Sequence, residues 1–528
     1  MNTLRHQGSR ALLTIVPLAF LCVFFLWPVG AILGRGLTND GSLDLSPLGD
    51  ILRDSSLRHV VTFTIWQAAL STVATLAIGL PAAAVLSRYR FRSRGLMVAI
   101  LTMPFVLPTV VVATAFRSLG IDGSLLAIVV AHTFFNVAIV VRVVGVSWRG
   151  LDPREEDAAR VLGAGPLRTF TRVTLPALRP AIVAAASIVF LFCFTSFGVI
   201  LILGGPRFAT LETEIYRQTA QLLDLRTAAA LSIVQVVAVV VALLVAGAMS
   251  GRVRRSTQRS LPRRLPSGLR PRLVVIGPLV PALALVAVPL LELAWRSLAH
   301  RAYGYSHLTT TPLGAPGSPL HAVETSIQIA CVATVIAVAL GLALAGAVTR
   351  PGRRSRIARA TELVVVLPLG VSAVTVGFGF LIVFDTPPLD LRTSWWILPI
   401  AHALVALPFV VRATVPVLRA IDPRQREAAA LLGARPWQVW REIDLRVVTR
   451  AAAVAAGFAF AISLGEFGAT LFIVRPETTT VPVAIFRFLS RPGATNVDQA
   501  MALATILMLL TGVVALAGER ASRSEVSA

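Results

Sequence analysis

The chain has no lysine: all 49 basic residues among its 528 are arginine. A Walker A loop needs a lysine that reaches the β- and γ-phosphates of a nucleotide. The sequence therefore excludes that phosphate-binding motif. Any ATP hydrolysis linked to this protein is expected to come from a separate chain.

Charged residues are also scarce, at 14% of the chain against 56% hydrophobic residues, with a mean hydropathy of +0.78. Soluble domains carry about 25% charged residues, so this composition predicts a protein that lies in membrane lipid. The net charge of +23 is also compatible with nucleic-acid binding. The arginines lie in short segments between apolar runs, however, which is typical of membrane topology, and we expect no nucleic-acid partner.

Cysteine is nearly absent as well. Cys22, Cys193 and Cys331 lie far apart inside apolar stretches and form no spaced ligand set. The pattern predicts neither a disulfide framework nor a metal site. Because no nucleophile, acid–base pair or metal cluster recurs along the chain, we expect no enzyme activity, no catalytic residue and no cofactor.

Long apolar runs, by contrast, are abundant. A bilayer core about 30 Å thick needs roughly 20 apolar residues in a helix. The runs that qualify form two sets of six: 11–34, 59–87, 95–117, 125–148, 181–203 and 226–250, then 273–299, 321–349, 360–384, 393–418, 451–474 and 498–518. They predict an all-α, polytopic membrane protein with about 12 transmembrane helices. The first run is too long for the apolar part of a signal peptide, so we expect an uncleaved helix.

The distribution of arginine predicts the orientation and the domain boundaries. The arginine-rich segments are expected in the cytoplasm, and they are 88–94, 149–180, 251–272, 350–359 and 419–450. The acidic loop 35–58 is then outside, and both termini are cytoplasmic. The predicted domains are a first half, 1–250, a polar linker, 251–272, and a second half, 273–528.

An internal repeat relates the two halves. Residues 131–198 align with residues 401–468 without a gap, at a constant offset of 270, so that His132 meets His402. We expect these two histidines to have structural roles near the membrane interface, since no other metal-binding residue accompanies them.

The repeat includes two loops, 149–180 and 419–450, that each carry the signals of two short helices. Asp152 and Asp422, each followed by proline, are typical of a helix start. Gly163 and Gly433 are typical of a helix end. We expect each loop to form a rigid pair of helices on the cytoplasmic surface, to which a soluble partner can bind. The alternative is an amphipathic loop that lies on lipid headgroups.

Both loops resemble the EAA loop of the permeases of binding-protein-dependent ABC importers, whose pattern is E-A-A, three residues, G, nine residues, I-x-L-P. The matching residues are Asp157, Ala158, Ala159, Gly163, Val173, Leu175 and Pro176, then Glu427, Ala428, Ala429, Gly433, Ile443 and Leu445, with Arg446 where proline is expected. The resemblance spans nearly the whole chain, once per half. It implies the type I importer permease fold in the bacterial inner membrane, with these helices docked on two copies of an ATPase subunit, and an extracytoplasmic substrate-binding protein as a further partner.

The fusion of two halves in one chain resembles the thiamine and ferric-iron permeases of that group. Segments 59–71, 131–136 and 192–218 resemble the thiamine member most, whereas 463–487 is similar to iron, sulfate and molybdate permeases as well. The resemblance implies thiamine or its phosphates as the substrate, with ferric iron as the alternative. The rival from another class is a twelve-helix secondary transporter, which the paired loops and the shortage of intramembrane charges disfavour.

Residues near the ends of the fifth and eleventh predicted helices are candidates for the translocation path. They are Phe194, Ser196, Phe197 and Gly198, then Ser463, Gly465, Glu466, Phe467 and Gly468. Glu466 is the main one, because an acid inside an apolar helix is by default a pathway or gate residue. Two roles stay open for it: a counter-charge to a cationic substrate, or a structural hydrogen bond to Ser463 or to backbone.

Overall fold

The computed structural model describes residues 15–39, 41–205, 207–250, 269–311, 317–349 and 371–523. Nearly all of this part is helical. Its β-structure is one small hairpin, in which β1 (Thr38–Asn39) pairs antiparallel with β2 (Ser42–Leu43). The predicted all-α class is confirmed.

The helices of the first half are α1 (Ile15–Leu37), α2 (Ser46–Arg53), α3 (Ser55–Arg88), α4 (Arg94–Thr102), α5 (Thr109–Ser118), α6 (Leu125–Arg149), α7 (Pro153–Val161), α8 (Pro166–Phe194), α9 (Gly198–Leu203), α10 (Leu211–Ala220) and α11 (Leu225–Ser250). A 3₁₀ turn, Met103–Phe105, extends α4. The loop 149–180 therefore contains α7 and the start of α8.

The helices of the second half are α12 (Leu269–Ser297), α13 (Ala299–Ser306), α14 (Pro319–Val348), α15 (Ala373–Val383), α16 (Ile397–Ala420), α17 (Pro423–Leu431), α18 (Pro436–Val439, Trp440–Leu445 and Arg446–Gly465 in succession), α19 (Gly468–Ile473), α20 (Val481–Leu489) and α21 (Ala494–Arg523). The predicted linker and the start of the predicted ninth span lie largely outside the described residues, as do residues 11–14 of the first.

Within the described residues, ten helices are long and apolar enough to cross a membrane, or eleven if α4 and α5 form one span. The predicted straight helix at 95–117 is wrong, because the chain bends by 104° between α4 and α5. Pro108 has extended backbone, with ψ of 140°, just before α5. A proline has no N–H to donate and disfavours helix in the residue before it, which favours an interruption of the helix at this point.

The predictions of a single helix at 181–203 and at 451–474 are also wrong, because each segment forms two helices. Helix α8 stops at Phe194, and α18 stops at Gly465. The short helices α9 and α19 then begin at Gly198 and Gly468. Atoms of neighbouring segments lie close to both glycines. A Cβ on Gly198 would lie 2.7 Å from Thr109 Oγ1. Hydropathy does not detect these breaks, because the residues on both sides are apolar.

Helices α10 and α20 occupy equivalent places in the two halves, and the sequence analysis did not predict them. The first amide of α10, at Leu211, donates to Thr64 Oγ1 of α3 at 3.0 Å. The first amide of α20, at Val481, donates likewise to Ser326 Oγ of α14 at 2.8 Å. A hydroxyl from a spanning helix thus satisfies a terminal N–H that would otherwise lack a partner.

The first helix of each half packs against the other half. Helix α1 contacts α11 and also α15, and α12 contacts α21 and also α3 and α5. The ring centroids of Phe24 and Phe384 are 5.4 Å apart, and a Cβ on Gly379 would lie 2.8 Å from Pro28 Cβ. This exchange joins the halves, so that both contribute to the space between them.

Candidate functional sites at the repeated loops and the central cavity

The two repeated loops start their helices in the same way. Asp152 Oδ1 accepts a hydrogen bond from the Arg154 amide at 2.9 Å, and Asp422 Oδ1 accepts one from the Arg424 amide at 3.0 Å. Proline follows each aspartate at the first helical position. The predicted helix starts of α7 and α17 are confirmed.

The glycines that follow these helices have left-handed backbone, with φ of +81° at Gly163 and +80° at Gly433. In the first loop, the Ala164 amide donates to the Ala159 carbonyl at 3.0 Å, and the second loop has the same bond at 3.0 Å. This 6→1 bond after a left-handed glycine is a Schellman helix end. The predicted helix end is therefore confirmed in both halves.

The matched loop residues form exposed surfaces. Asp157, Ala158, Glu427 and Ala428 are exposed, whereas Ala159 and Ala429 are partly buried. Each helix ends in two large apolar side chains that are almost fully exposed, between 87% and 89%: Val161, Leu162, Leu431 and Leu432. Apolar side chains exposed to this degree on two equivalent tips suit contact with another surface.

An ionic or polar contact ties each loop helix to the base of the helix that follows. Glu156 of α7 pairs with Arg88 and accepts a hydrogen bond from Thr174 Oγ1 at 2.7 Å. At the equivalent positions of the second half, Arg426 donates to Asp444 at 2.7 Å. The geometry is repeated while the charge on the loop helix is reversed. The sequence analysis missed this contact. Its signal in the sequence is the pair of opposite charges, Glu156 and Arg426, at matched positions of the repeat.

Both helices widen into a π-helical turn where they enter the membrane, at Phe170–Thr174 and at Trp440–Leu445. Arg446 takes the place of Pro176, yet both halves have this turn. The proline is therefore not what produces it.

A cavity of about 360 Å³ lies between the halves. Seven of the predicted path residues line it: Ser196, Phe197, Gly198, Gly465, Glu466, Phe467 and Gly468. Phe194 and Ser463 lie behind the wall. Phe194 stacks on Phe190, and Ser463 Oγ is 2.8 Å from His402 Nδ1.

Aromatic contacts join the halves at the end of the cavity that is farther from the loops. The rings of Phe197 and Phe467 stack with centroids 5.6 Å apart, and those of Tyr216 and Phe472 meet edge to face at 5.6 Å. The 20 residues of Leu175–Phe194 separate this contact from the loops, a helical rise of about 30 Å. These rings connect the two halves at this end of the cavity.

Glu466 lies at the break between α18 and α19, not inside a helix as predicted. Its carboxylate accepts hydrogen bonds from the amides of Ala469 and Thr470, both at 3.0 Å, and from the Thr470 hydroxyl. Of the two roles that the sequence left open, the hydrogen bond to backbone is the one observed here. The carboxylate is 3.6 Å from His402 Nε2.

The two matched histidines differ in their partners. His402 has both ring nitrogens occupied, by Ser463 Oγ and by Thr470 Oγ1, each at 2.8 Å, which fits the structural role that was predicted. His132 Nδ1 contacts Ser71 Oγ at 3.1 Å. Its Nε2 is buried and has no hydrogen-bond partner among the described residues, and His132 lines the cavity.

Glu212, which the sequence analysis missed, also lies in the cavity wall and is 0% exposed. Its Oε2 accepts a hydrogen bond from Ser372 Oγ of the second half at 3.0 Å, and its Oε1 accepts one from Gln235 Nε2. Position 212 lies outside every predicted span, so hydropathy drew no attention to it. Across the described ranges, no group of three or more histidine, cysteine or acidic side chains is arranged to hold a metal ion.

Comparison with known proteins bears on both sites. The family described as "Binding-protein-dependent transport system inner membrane component" matches residues 75–259 and again residues 337–521. The chain is 28% identical, over 505 residues, to the thiamine transport system permease protein ThiP of Brucella abortus (strain 2308), covering 90% of each chain. It is 26% identical to the protein of the same name from Escherichia coli (strain K12), covering 87% of this chain and 88% of that one.

A probable ABC transporter permease protein, y4fN of Sinorhizobium fredii, is 25% identical over 94% of each chain. Among solved structures, a chain of a bacterial ABC transporter involved in the import of the acidic polysaccharide alginate matches 48% of this chain and 98% of its own, with a TM-score of 0.39 and 19% identity. Because the two matches together cover more than half of the sequence, one in each half, the chain belongs to the inner membrane components of binding-protein-dependent transport systems, as a fused two-half permease.

Proposed function

We propose that this ABC importer permease carries thiamine or a phosphate of thiamine. The observation that carries the proposal is that relatives named as thiamine permeases match about nine-tenths of the chain, across both halves. The cavity supports it, since about 360 Å³ is within the usual range for a small organic ligand. Its wall is mainly apolar and aromatic, as such sites require.

The repeated loops are proposed to dock two copies of an ATPase subunit, one on each loop. Two tips of the same geometry, each with exposed apolar side chains, support this role. The docking residues are Asp157, Ala158, Ala159 and Gly163, with Glu427, Ala428, Ala429 and Gly433. This places the loops and both termini in the cytoplasm and leaves the other side for the substrate-binding protein.

The translocation path is proposed to pass between the halves, along the cavity and then between Phe197 and Phe467. The stacked contact between Phe197 and Phe467, which joins the two halves, supports this route as the place of a gate. The permease is proposed to have no ATPase activity of its own.

The test is uptake into proteoliposomes that contain the permease and its partner ATPase subunits, with the substrate-binding protein added. Labelled thiamine and ferric iron are supplied separately. We expect ATP-dependent uptake of thiamine, and no ATP hydrolysis by the purified permease alone. Uptake of iron in place of thiamine would reassign the substrate, and uptake driven by a proton gradient without ATP would overturn the mechanism.

A further inference from the structure

Glu212 is a buried acid without a cation. Its two hydrogen-bond donors, Ser372 and Gln235, are neutral, and no ion pair to it exists in the part of the chain that the structure describes. Burial of a carboxylate is costly unless a cation or several donors compensate for it. Glu466 is different, because two backbone amides and a hydroxyl already bind its carboxylate.

A second unsatisfied group lies in the same wall. His132 is 2% exposed, and its Nε2 has no hydrogen-bond partner in the part of the chain that the structure describes. One helical turn along α6, Asn136 also lines the cavity, and its Nδ2 donates to the His132 carbonyl at 2.8 Å. Because His132 lines the cavity, a ligand that reaches this buried ring nitrogen can form a hydrogen bond with it.

The second half lacks this set of groups. At the positions offset by 270, Pro482 stands for Glu212 and Ala406 for Asn136. His402 matches His132, but the Nε2 of His402 already has a hydrogen-bond partner in Thr470 Oγ1. The two walls of the cavity are therefore chemically different, and Glu212, His132 and Asn136 all belong to the first half.

Aromatic rings form much of the remaining wall. Phe105 and Phe192 lie with centroids 6.5 Å apart, and Phe458 lines the cavity from the second half. The face of a phenylalanine ring attracts an organic cation. Rings and a buried acid together favour a flat organic cation over a small hydrated metal ion.

We propose that the permease itself holds a binding site for an aromatic organic cation in this cavity, with Glu212 as the counter-charge and His132 Nε2 as a hydrogen-bonding group. The proposal rests on the proposed thiamine function and adds that the membrane protein, and not only its binding protein, recognises the charge. Ser372 belongs to the other half, so separation of the halves releases Glu212 from that hydrogen bond and exposes it to the ligand.

The experiment measures equilibrium binding of labelled thiamine to the permease–ATPase complex in lipid nanodiscs, without the binding protein. We expect saturable binding, and Glu212→Gln is expected to weaken it by about tenfold or more, since each tenfold change corresponds to about 1.4 kcal/mol. The same substitution should weaken the binding of thiochrome, an uncharged ring compound formed from thiamine, by no more than about twofold. A merely structural defect would weaken both compounds alike.

The matched control is Glu214→Gln, on the same helix and 2% exposed, but paired with Arg217 at 2.8 Å and facing a different cavity. It should leave thiamine affinity within about twofold of wild type. If Glu212→Gln does not fold, the Ser372→Ala variant tests the proposal instead. It keeps the charge of Glu212 and removes one hydrogen bond that competes with the ligand for its carboxylate. Thiamine must then bind at least as tightly as in wild type.

Outcomes for the site and for the function are separable. Thiamine uptake by the complete importer without direct binding to the wild-type complex would overturn the site alone. Equal losses from Glu212→Gln and Glu214→Gln would do the same. Absence of thiamine uptake by the wild-type importer would overturn both proposals.

Discussion

The repeated loops and the two cavity walls belong to the same repeat, but the loops match each other more closely than the polar groups of the two walls do. Gly163 and Gly433 differ by one degree in φ, and both loop helices start and end with the same hydrogen bonds. In the cavity, Glu466 stands where the first half has Ser196. A surface that meets two copies of one partner must present one shape twice, whereas a passage for one asymmetric molecule needs no symmetry.

The anchors of the loops show how much chemistry can change while geometry is kept. Glu156 and Arg426 occupy equivalent positions with opposite charges, and each binds a partner in the following π-helical turn. What is repeated is a contact between the loop helix and the base of α8 or α18, and not the sign of the charge. A rigid connection at this point allows a displacement of the loop helix to be transmitted to α8 or α18.

The largest expected effect comes from Gly163→Val or Gly433→Val, which tests whether both loops are needed. A branched residue is strained in left-handed backbone by about 1–2 kcal/mol or more, so we expect uptake to fall by about tenfold or more with membrane insertion intact. Labelled uptake in proteoliposomes and detergent-extracted yield measure the two quantities.

Gly165→Ala is the control within the same loop, because φ there is −65° and an added Cβ meets nothing within 4 Å. Its counterpart in the second half is already Arg435. Wild-type uptake by both valine variants would mean that the loops are not the coupling elements.

The next effect concerns Glu466→Gln, on the wall that differs. An amide cannot accept hydrogen bonds from both backbone N–H groups and the Thr470 hydroxyl as a carboxylate does. We expect a loss of about 1–3 kcal/mol in stability, seen as a lower melting midpoint of the purified complex. Uptake should fall as well if the position lines the path. An unchanged midpoint, unchanged uptake of every substrate and no labelling of a cysteine placed at 466 would remove Glu466 from the path.

A smaller effect is expected from the reversed anchor. Arg426→Asp and Asp444→Arg should each lower the melting midpoint, and the double variant should recover most of the loss. The side chains are 15% and 17% exposed, so a coupling energy of about 1 kcal/mol is expected from a double-mutant cycle. Additive losses in the double variant would show that the two side chains do not stabilise each other.

The smallest effect is expected from Cys193→Ser, which gives the first half the residue that the second half has at Ser463. The contact of the sulfur with Asn136 Nδ2 is long, at 3.5 Å, and a hydroxyl is similar in shape to a thiol. Uptake should stay within about twofold of wild type. A large loss would mean that the wall around His132 tolerates no change, and that the halves are less interchangeable than their shared geometry suggests.

The sequence by itself determined the features that depend on local chemistry. Hydropathy places most of the spanning helices because lipid requires long apolar helices. The repeat, with its aspartates and glycines, predicts both loops, because capping and left-handed backbone involve neighbouring residues only.

The tertiary structure decided what depends on residues far apart in the chain. The ends of α8 and α18 lie where apolar segments meet tightly packed neighbours. The environment of Glu212 depends on Ser372, 160 residues away. Whether a buried acid is satisfied or faces a cavity is set by the packing of the two halves, because its partners are brought to it only when they fold together.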